Sequence, residues 1–60
     1  MTLEEARELY QQIPTMTVRE LRAAGKKHFG EEWSSSASKR TIQSGLSQRV
    51  AREIVKLGGA

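Results

Sequence analysis

Cysteine and aspartate are absent from this 60-residue sequence, and histidine and proline each occur once. Without cysteine the chain forms no disulfide and holds no thiolate metal site, and a lone His28 argues against a histidine-based site. The serines cluster in a loop without the elbow motif of a nucleophilic serine, and the glycines form no phosphate-cradling loop. We therefore expect a protein that is not an enzyme and needs no cofactor.

Long hydrophobic runs are also missing. No apolar stretch approaches the length of a membrane span, and Met1 is followed by acidic residues rather than a basic signal region. We expect a soluble, intracellular protein (cytoplasm, nucleoid or nucleus) with no membrane partner. Sixty residues allow one small domain, spanning 1–60, with a correspondingly small core.

The formal net charge of +3 is unevenly distributed along the chain. Residues 1–13 sum to −2, whereas residues 14–60 sum to +5. A mildly acidic first segment followed by a basic body is compatible with an anionic partner such as nucleic acid. The alternative is that the basic residues only form solvated helix surfaces.

The starts of two helices are marked by a threonine that is followed three positions later by a glutamate, the pattern of a capping box: Thr2 with Glu5, and Thr17 with Glu20. Pro14 predicts that the first helix ends around residue 12, and Gly30 suits the left-handed position that follows the second. We expect helices over about 3–12 and 18–29.

A third helix is predicted over about 37–57 by five aliphatic residues that share one stripe at 100° per residue: Ile42, Leu46, Val50, Ile54 and Leu57. Ser34, Ser36 or Ser38 caps it, and Gly58-Gly59-Ala60 ends it. The apolar spacing does not follow a heptad, which disfavours a long coiled coil.

The sequence thus predicts an all-α fold, a compact three-helix domain whose Ser-rich loop is anchored by Trp33. Gly25 lies on the apolar face of the second helix, where we expect close packing against another helix. The predicted core consists of Leu3, Leu9, Ile13, Val18, Leu21, Phe29, Trp33, Ile42, Leu46, Val50, Ile54 and Leu57.

Basic residues recur at helical spacing on two of these helices. Arg49, Arg52 and Lys56 share a flank of the third helix with Gly45, which lets a phosphate backbone approach closely. The second helix carries a similar set in Arg19, Arg22 and Lys26. Lys39 and Arg40 lie at the start of the third helix, where free backbone N–H groups and the helix dipole also favour phosphate.

The run Thr17-Val18-Arg19-Glu20-Leu21-Arg22, followed by a polar loop and by Ser38-Lys39-Arg40-Thr41-Ile42, resembles the SAP, LEM and Rho-N group of small modules. Members have a helix that opens with "T-V-x-E-L", an extended connection and a second helix with a lysine shortly before an aliphatic residue. The resemblance implies a binding module: SAP-type members bind DNA and LEM-type members bind a protein. The positions that it implicates are Ser38, Lys39, Arg40, Arg22 and Lys26.

A shorter stretch, Ser38-Lys39-Arg40-Thr41-Ile42-Gln43, is similar to the recognition-helix opening "S-x-R-T-I-x" of many helix-turn-helix repressors. This resemblance implies that Ser38, Lys39, Arg40 and Gln43 face the major groove. The connection over residues 30–37 is longer than the usual turn of that motif.

We therefore expect a module that binds DNA, mostly at phosphates, through nine residues: Ser38, Lys39, Arg40, Gln43, Arg49, Arg52, Lys56, Arg22 and Lys26. The alternative is a protein-interaction adaptor that docks on a larger partner or on itself, for which exposed Tyr10, Trp33 or Val55 would matter more. The sequence leaves the oligomeric state open.

Overall fold

Three α-helices make up the fold, which confirms the predicted all-α, three-helix domain. The structure, a computed structural model, describes residues 1–59, so that Ala60 of the predicted C-terminal segment lies outside it. The helices are α1 (Leu3–Gln12), α2 (Val18–Phe29) and α3 (Lys39–Lys56). The first two match the predicted bounds, and α3 begins two residues later than predicted.

The helix starts follow the capping residues. In both predicted capping boxes the threonine oxygen accepts from the glutamate N–H, and the glutamate side chain accepts from the threonine N–H, over distances of 3.0 to 3.2 Å. For α3 the cap is Ser38, whose Oγ accepts from the Thr41 N–H at 3.2 Å. The choice among the three candidate serines thus falls on Ser38, and residues 37 and 38 precede the helix.

Because of the two capping glutamates, we expect the stability of the fold to decrease at acidic pH. The hydrogen bond from the Thr2 backbone N–H lowers the pKa of Glu5 below its usual value of 4.5, and the Thr17 N–H lowers the pKa of Glu20 in the same way. Because the folded-state pKa is depressed, this stabilisation is present above pH 4.5 and is lost as the pH falls through the folded value.

We expect the thermal midpoint of the wild type to drop more steeply below that pH than the thermal midpoint of Glu5→Gln/Glu20→Gln. Glu4→Gln, which removes a carboxylate outside the boxes, should keep the wild-type slope, and equal slopes for all three proteins would contradict the prediction.

Between α1 and α2 the chain forms a 3-10 turn, Ile13–Thr15, that was not predicted. Pro14 ends α1 at Gln12 as expected, but Ile13 keeps helical dihedral angles, with φ −48° and ψ −46°. The chain therefore tightens into one further turn before Met16 adopts an extended conformation.

The core is made by six fully buried residues: Ala6, Ile13, Leu21, Ile42, Leu46 and Val50. Most of the other predicted core residues are half-buried against this cluster, namely Leu9, Val18, Phe29, Trp33 and Ile54. Leu3 is also half-buried. The prediction for Leu57 is wrong, since this side chain is 38% exposed. The reason is that α3 ends at Lys56, so that Leu57 no longer continues the buried stripe.

Side-chain neighbours fix the directions of the helices. Leu3, at the start of α1, lies against Gly59 beyond the end of α3, and the Gln43 amide near the start of α3 donates to the Ile13 carbonyl at 3.5 Å. These two helices are therefore antiparallel. Gly25 of α2 and Gly45 of α3 lie against the same Trp33 ring, and Glu31, just beyond α2, pairs with Arg49, one turn after Gly45. It follows that α2 and α3 run in the same general direction.

Because α2 and α3 run the same way, residues 30–38, here the connecting segment, must return along α2. Gly30 begins the return in the left-handed conformation, with φ 65°. The Glu31 N–H then donates to the Gly25 carbonyl at 3.1 Å, which turns the chain back beside the helix that it has just left. Within residues 1–59, no helix combines the length and the apolar character that a membrane crossing requires.

Candidate nucleic-acid interface

Trp33 joins the connecting segment to both helices. Its indole lies over two glycines: a Cβ on Gly25 would come within 2.6 Å of Cη2, and a Cβ on Gly45 would lie 3.0 Å from Nε1. The predicted anchoring role of Trp33 is confirmed. The expectation that Gly25 packs against another helix is wrong, because the indole occupies that space. The same ring covers Gly45, where the sequence suggested the approach of a phosphate backbone.

Arg49 holds the connecting segment from the α3 side. Its guanidinium lies 5.6 Å from the centroid of the Trp33 ring, within the range of a cation–π contact. One nitrogen, Nη1, donates to the Gly45 carbonyl at 2.9 Å, and Nη2 pairs with the Glu31 carboxylate at 3.0 Å. The Arg49 side chain keeps 33% of its surface exposed, so it contacts both the indole and solvent.

Arg22 and Lys26 hold the same segment from the α2 side. The two terminal nitrogens of Arg22 donate to consecutive backbone carbonyls, those of Trp33 at 3.1 Å and Ser34 at 2.9 Å. Lys26 Nζ pairs with Glu32 Oε1 at 2.9 Å, and both side chains are mostly exposed. Arg22 thus fixes the path of the segment, and Lys26 adds an exposed ion pair to it.

The connecting segment consequently has cations along both sides. We call this surface the loop face; it consists of residues 30–38 together with Arg19, Arg22, Lys26, Arg49, Arg52 and Lys56. Arg19 lies on the same flank of α2 as Arg22 and Lys26 by helical spacing, and it is exposed. Arg52 and Lys56 follow Arg49 along α3 and are exposed as well. Two sets of cations that are far apart in sequence therefore border one surface.

At one end of the loop face lies the start of α3. Lys39 and Arg40 are both exposed there, in the first helical turn, whose backbone N–H groups have no partner within the helix. Arg40 also lines an open groove with Pro14 of the 3-10 turn and with Gln43. Gln43 is half-buried, and its amide is directed at the Ile13 carbonyl. The Ser38 hydroxyl accepts the capping hydrogen bond.

The nine predicted binding residues thus fall into two groups. Four are exposed cations, Lys39, Arg40, Arg52 and Lys56, and none of them forms an ion pair within residues 1–59. The other five contact the chain itself: Arg22, Lys26, Arg49, Ser38 and Gln43. Sequence reasoning missed the two carboxylates of the loop face, because adjacent glutamates in a polar loop give no indication of the helix flank that they will reach.

The other cations lie outside this surface. Of the ten lysine and arginine residues, only Arg7 and Lys27 are neither on the loop face nor at the start of α3. Lys27 shares a groove with Glu5 and Glu8 of α1. The acidic first helix therefore faces the end of α2, away from the loop face. No family model, curated protein or solved structure matches the chain.

Proposed function

We propose that this protein is a non-catalytic DNA-binding module that contacts phosphates through the start of α3 and the loop face. The observation that carries the proposal is that Arg22, Lys26 and Arg49 border the connecting segment, while five further exposed cations lie on the same helix flanks and at the start of α3. A surface with this excess of positive charge attracts a polyanion and gains affinity through the release of its counterions.

The start of α3 is the best-placed phosphate site on this surface. Lys39 and Arg40 supply two exposed charges, and their own backbone N–H groups, which have no partner within the helix, lie at the positive end of the helix dipole. Charge and hydrogen-bond donors therefore coincide at one place. Arg52 and Lys56, about three and a half and four and a half helical turns further along α3, extend the contact along the DNA backbone.

The topology favours one of the two resemblances. A helix, a long connection that follows it and a second helix are the elements, in the order, that the SAP, LEM and Rho-N resemblance implies. The helix-turn-helix interpretation is less well supported, because the connection from Gly30 to Ser38 is long and follows α2. A DNA-binding role also implies an intracellular location.

Removal of the two cations at the start of α3 should weaken duplex binding markedly. We expect Lys39→Ala/Arg40→Ala to make the slope of log K against log salt shallower by about 1.8, or about 0.9 for each lost phosphate contact. At about 50 mM salt this corresponds to a loss of affinity of about 100-fold. Fluorescence anisotropy of a labelled duplex, titrated at several salt concentrations, measures both quantities.

The matched control is Arg7→Ala/Lys27→Ala, which removes the same net charge outside the proposed interface. This variant should keep the wild-type slope and lose only a few-fold in affinity through the lower net charge. Absence of duplex binding by the wild type at low salt would refute the proposal. Equal losses in the two double variants would show that only net charge matters.

A protein-interaction adaptor is the second candidate function, and the exposure of Val55 favours it. This valine is 61% exposed on α3, and Tyr10 is 48% exposed on α1. Exposed apolar side chains are common on small domains, so this observation is weaker than the gathering of cations. Absence of duplex binding, together with self-association that Val55→Ser abolishes, would favour the adaptor.

A further inference from the structure

Two carboxylates lie within the cationic loop face, and both are paired with predicted phosphate-binding residues. Glu31 pairs with Arg49 at 3.0 Å, and Glu32 pairs with Lys26 at 2.9 Å. These are the two ion pairs between side chains in residues 1–59. The chain thus places its own anions at the positions where an incoming phosphate would otherwise bind.

We propose that Glu31 and Glu32 act as an internal competitor for phosphate, so that the connecting segment is an autoinhibitory element of the DNA-binding surface. The inference rests on the proposed function and concerns the regulation of the same site. A carboxylate that pairs with a guanidinium or an ammonium satisfies the same donors that a phosphate oxygen would use. It also places a negative charge in the path of the DNA backbone.

The exposure of the pairs indicates that the competition is reversible. The side chains of Lys26 and Glu32 are 63% and 73% exposed, and ion pairs in this environment are weak. Arg49 and Glu31 are less exposed, at 33% and 40%, so this pair should resist displacement more strongly. A polyanion should therefore displace Glu32 first and Glu31 only at higher occupancy of the surface.

The backbone of the segment need not move for this exchange. Arg22 holds the carbonyls of Trp33 and Ser34, and the indole remains over the two glycines. Only the glutamate side chains must turn away from Lys26 and Arg49. Because Arg49 lies over the Trp33 ring, the exchange changes the electrostatic environment of the indole and makes its fluorescence a reporter.

The test is Glu31→Gln/Glu32→Gln, which keeps the shape of both side chains and removes their charges. If Lys26 and Arg49 become available to phosphates, the slope of log K against log salt should steepen by up to about 1.8, or about 0.9 for each cation. At about 50 mM salt the affinity for a duplex should rise by about tenfold or more. Circular dichroism of the variant checks that the helices are retained.

Glu4→Gln/Glu8→Gln is the matched control, because it makes the same change in net charge on α1, away from the loop face. It should raise the affinity only slightly and leave the slope unchanged. A wild type that binds duplex DNA, with a slope that Glu31→Gln/Glu32→Gln does not change, would overturn this inference and leave the proposed function intact. Equal gains in both double variants would also overturn it, since they would reflect net charge alone.

Other outcomes are equally informative. Absence of binding by the wild type and by both variants would refute the proposed function and, with it, the inference. A shift in Trp33 emission when DNA is added to Glu31→Gln/Glu32→Gln, at least as large as the shift in the wild type, would support binding of phosphate at Arg49.

Discussion

Gly25→Ala should destabilise the protein by about 2 to 3 kcal/mol, although alanine is the better helix former. In an unconstrained helix this substitution stabilises by about 1 kcal/mol. Here the added methyl group would come within 2.6 Å of the Trp33 ring, a distance at which the indole must move. Movement of the ring would disturb its contacts with Gly45 and Arg49, so we expect the loss of packing to outweigh the helix propensity.

A double-mutant cycle with Trp33→Leu separates the two effects. In that background the ring is absent, so Gly25→Ala should become neutral or stabilise by up to about 1 kcal/mol through helix propensity. Urea unfolding followed by circular dichroism measures all four proteins. Destabilisation of similar size in both backgrounds would show that the cost does not arise from contact with Trp33.

The Trp33 contact also shows where sequence reasoning stops. Helix bounds depend on residues that are close in sequence, such as Thr17 and Glu20, and they were predicted to within two residues. Gly25 could be recognised as a site of close packing, because glycine inside a helix is costly without such a reason. The group that fills the space beside Gly25 is determined by the path of the connecting segment. Polar loops have no hydrophobic periodicity from which their path could be predicted.

The same limit applies to the candidate interface. Helical spacing correctly placed Arg22 and Lys26 on one flank of α2, and Arg49 on the flank of Gly45. It did not indicate that the two flanks border the same segment, because that depends on α2 and α3 running in the same direction. That direction requires residues 30–34 to return along α2, and the contacts of Arg22 and Glu31 show this return.

Val50→Ala should destabilise the protein by about 2 to 3 kcal/mol, a large part of the stability that a domain of this size can hold. Val50 is fully buried in the stripe of α3 that also contains Ile42 and Leu46. Loss of its two methyl groups removes apolar surface from the core and leaves a cavity between α3 and its neighbours, which a small domain has few side chains to fill.

The control lies on the same helix. Val55→Ala is the same chemical change at a position that is 61% exposed, and both substitutions give the same small gain in helix propensity. Val55→Ala should therefore leave the free energy of unfolding unchanged or raise it by a few tenths of a kcal/mol. Thermal or urea unfolding of the two variants measures how the same substitution changes the free energy of unfolding at a buried and at an exposed position. Equal losses at both positions would mean that α3 buries a different face, and the arrangement of the cations around the connecting segment would then be wrong as well.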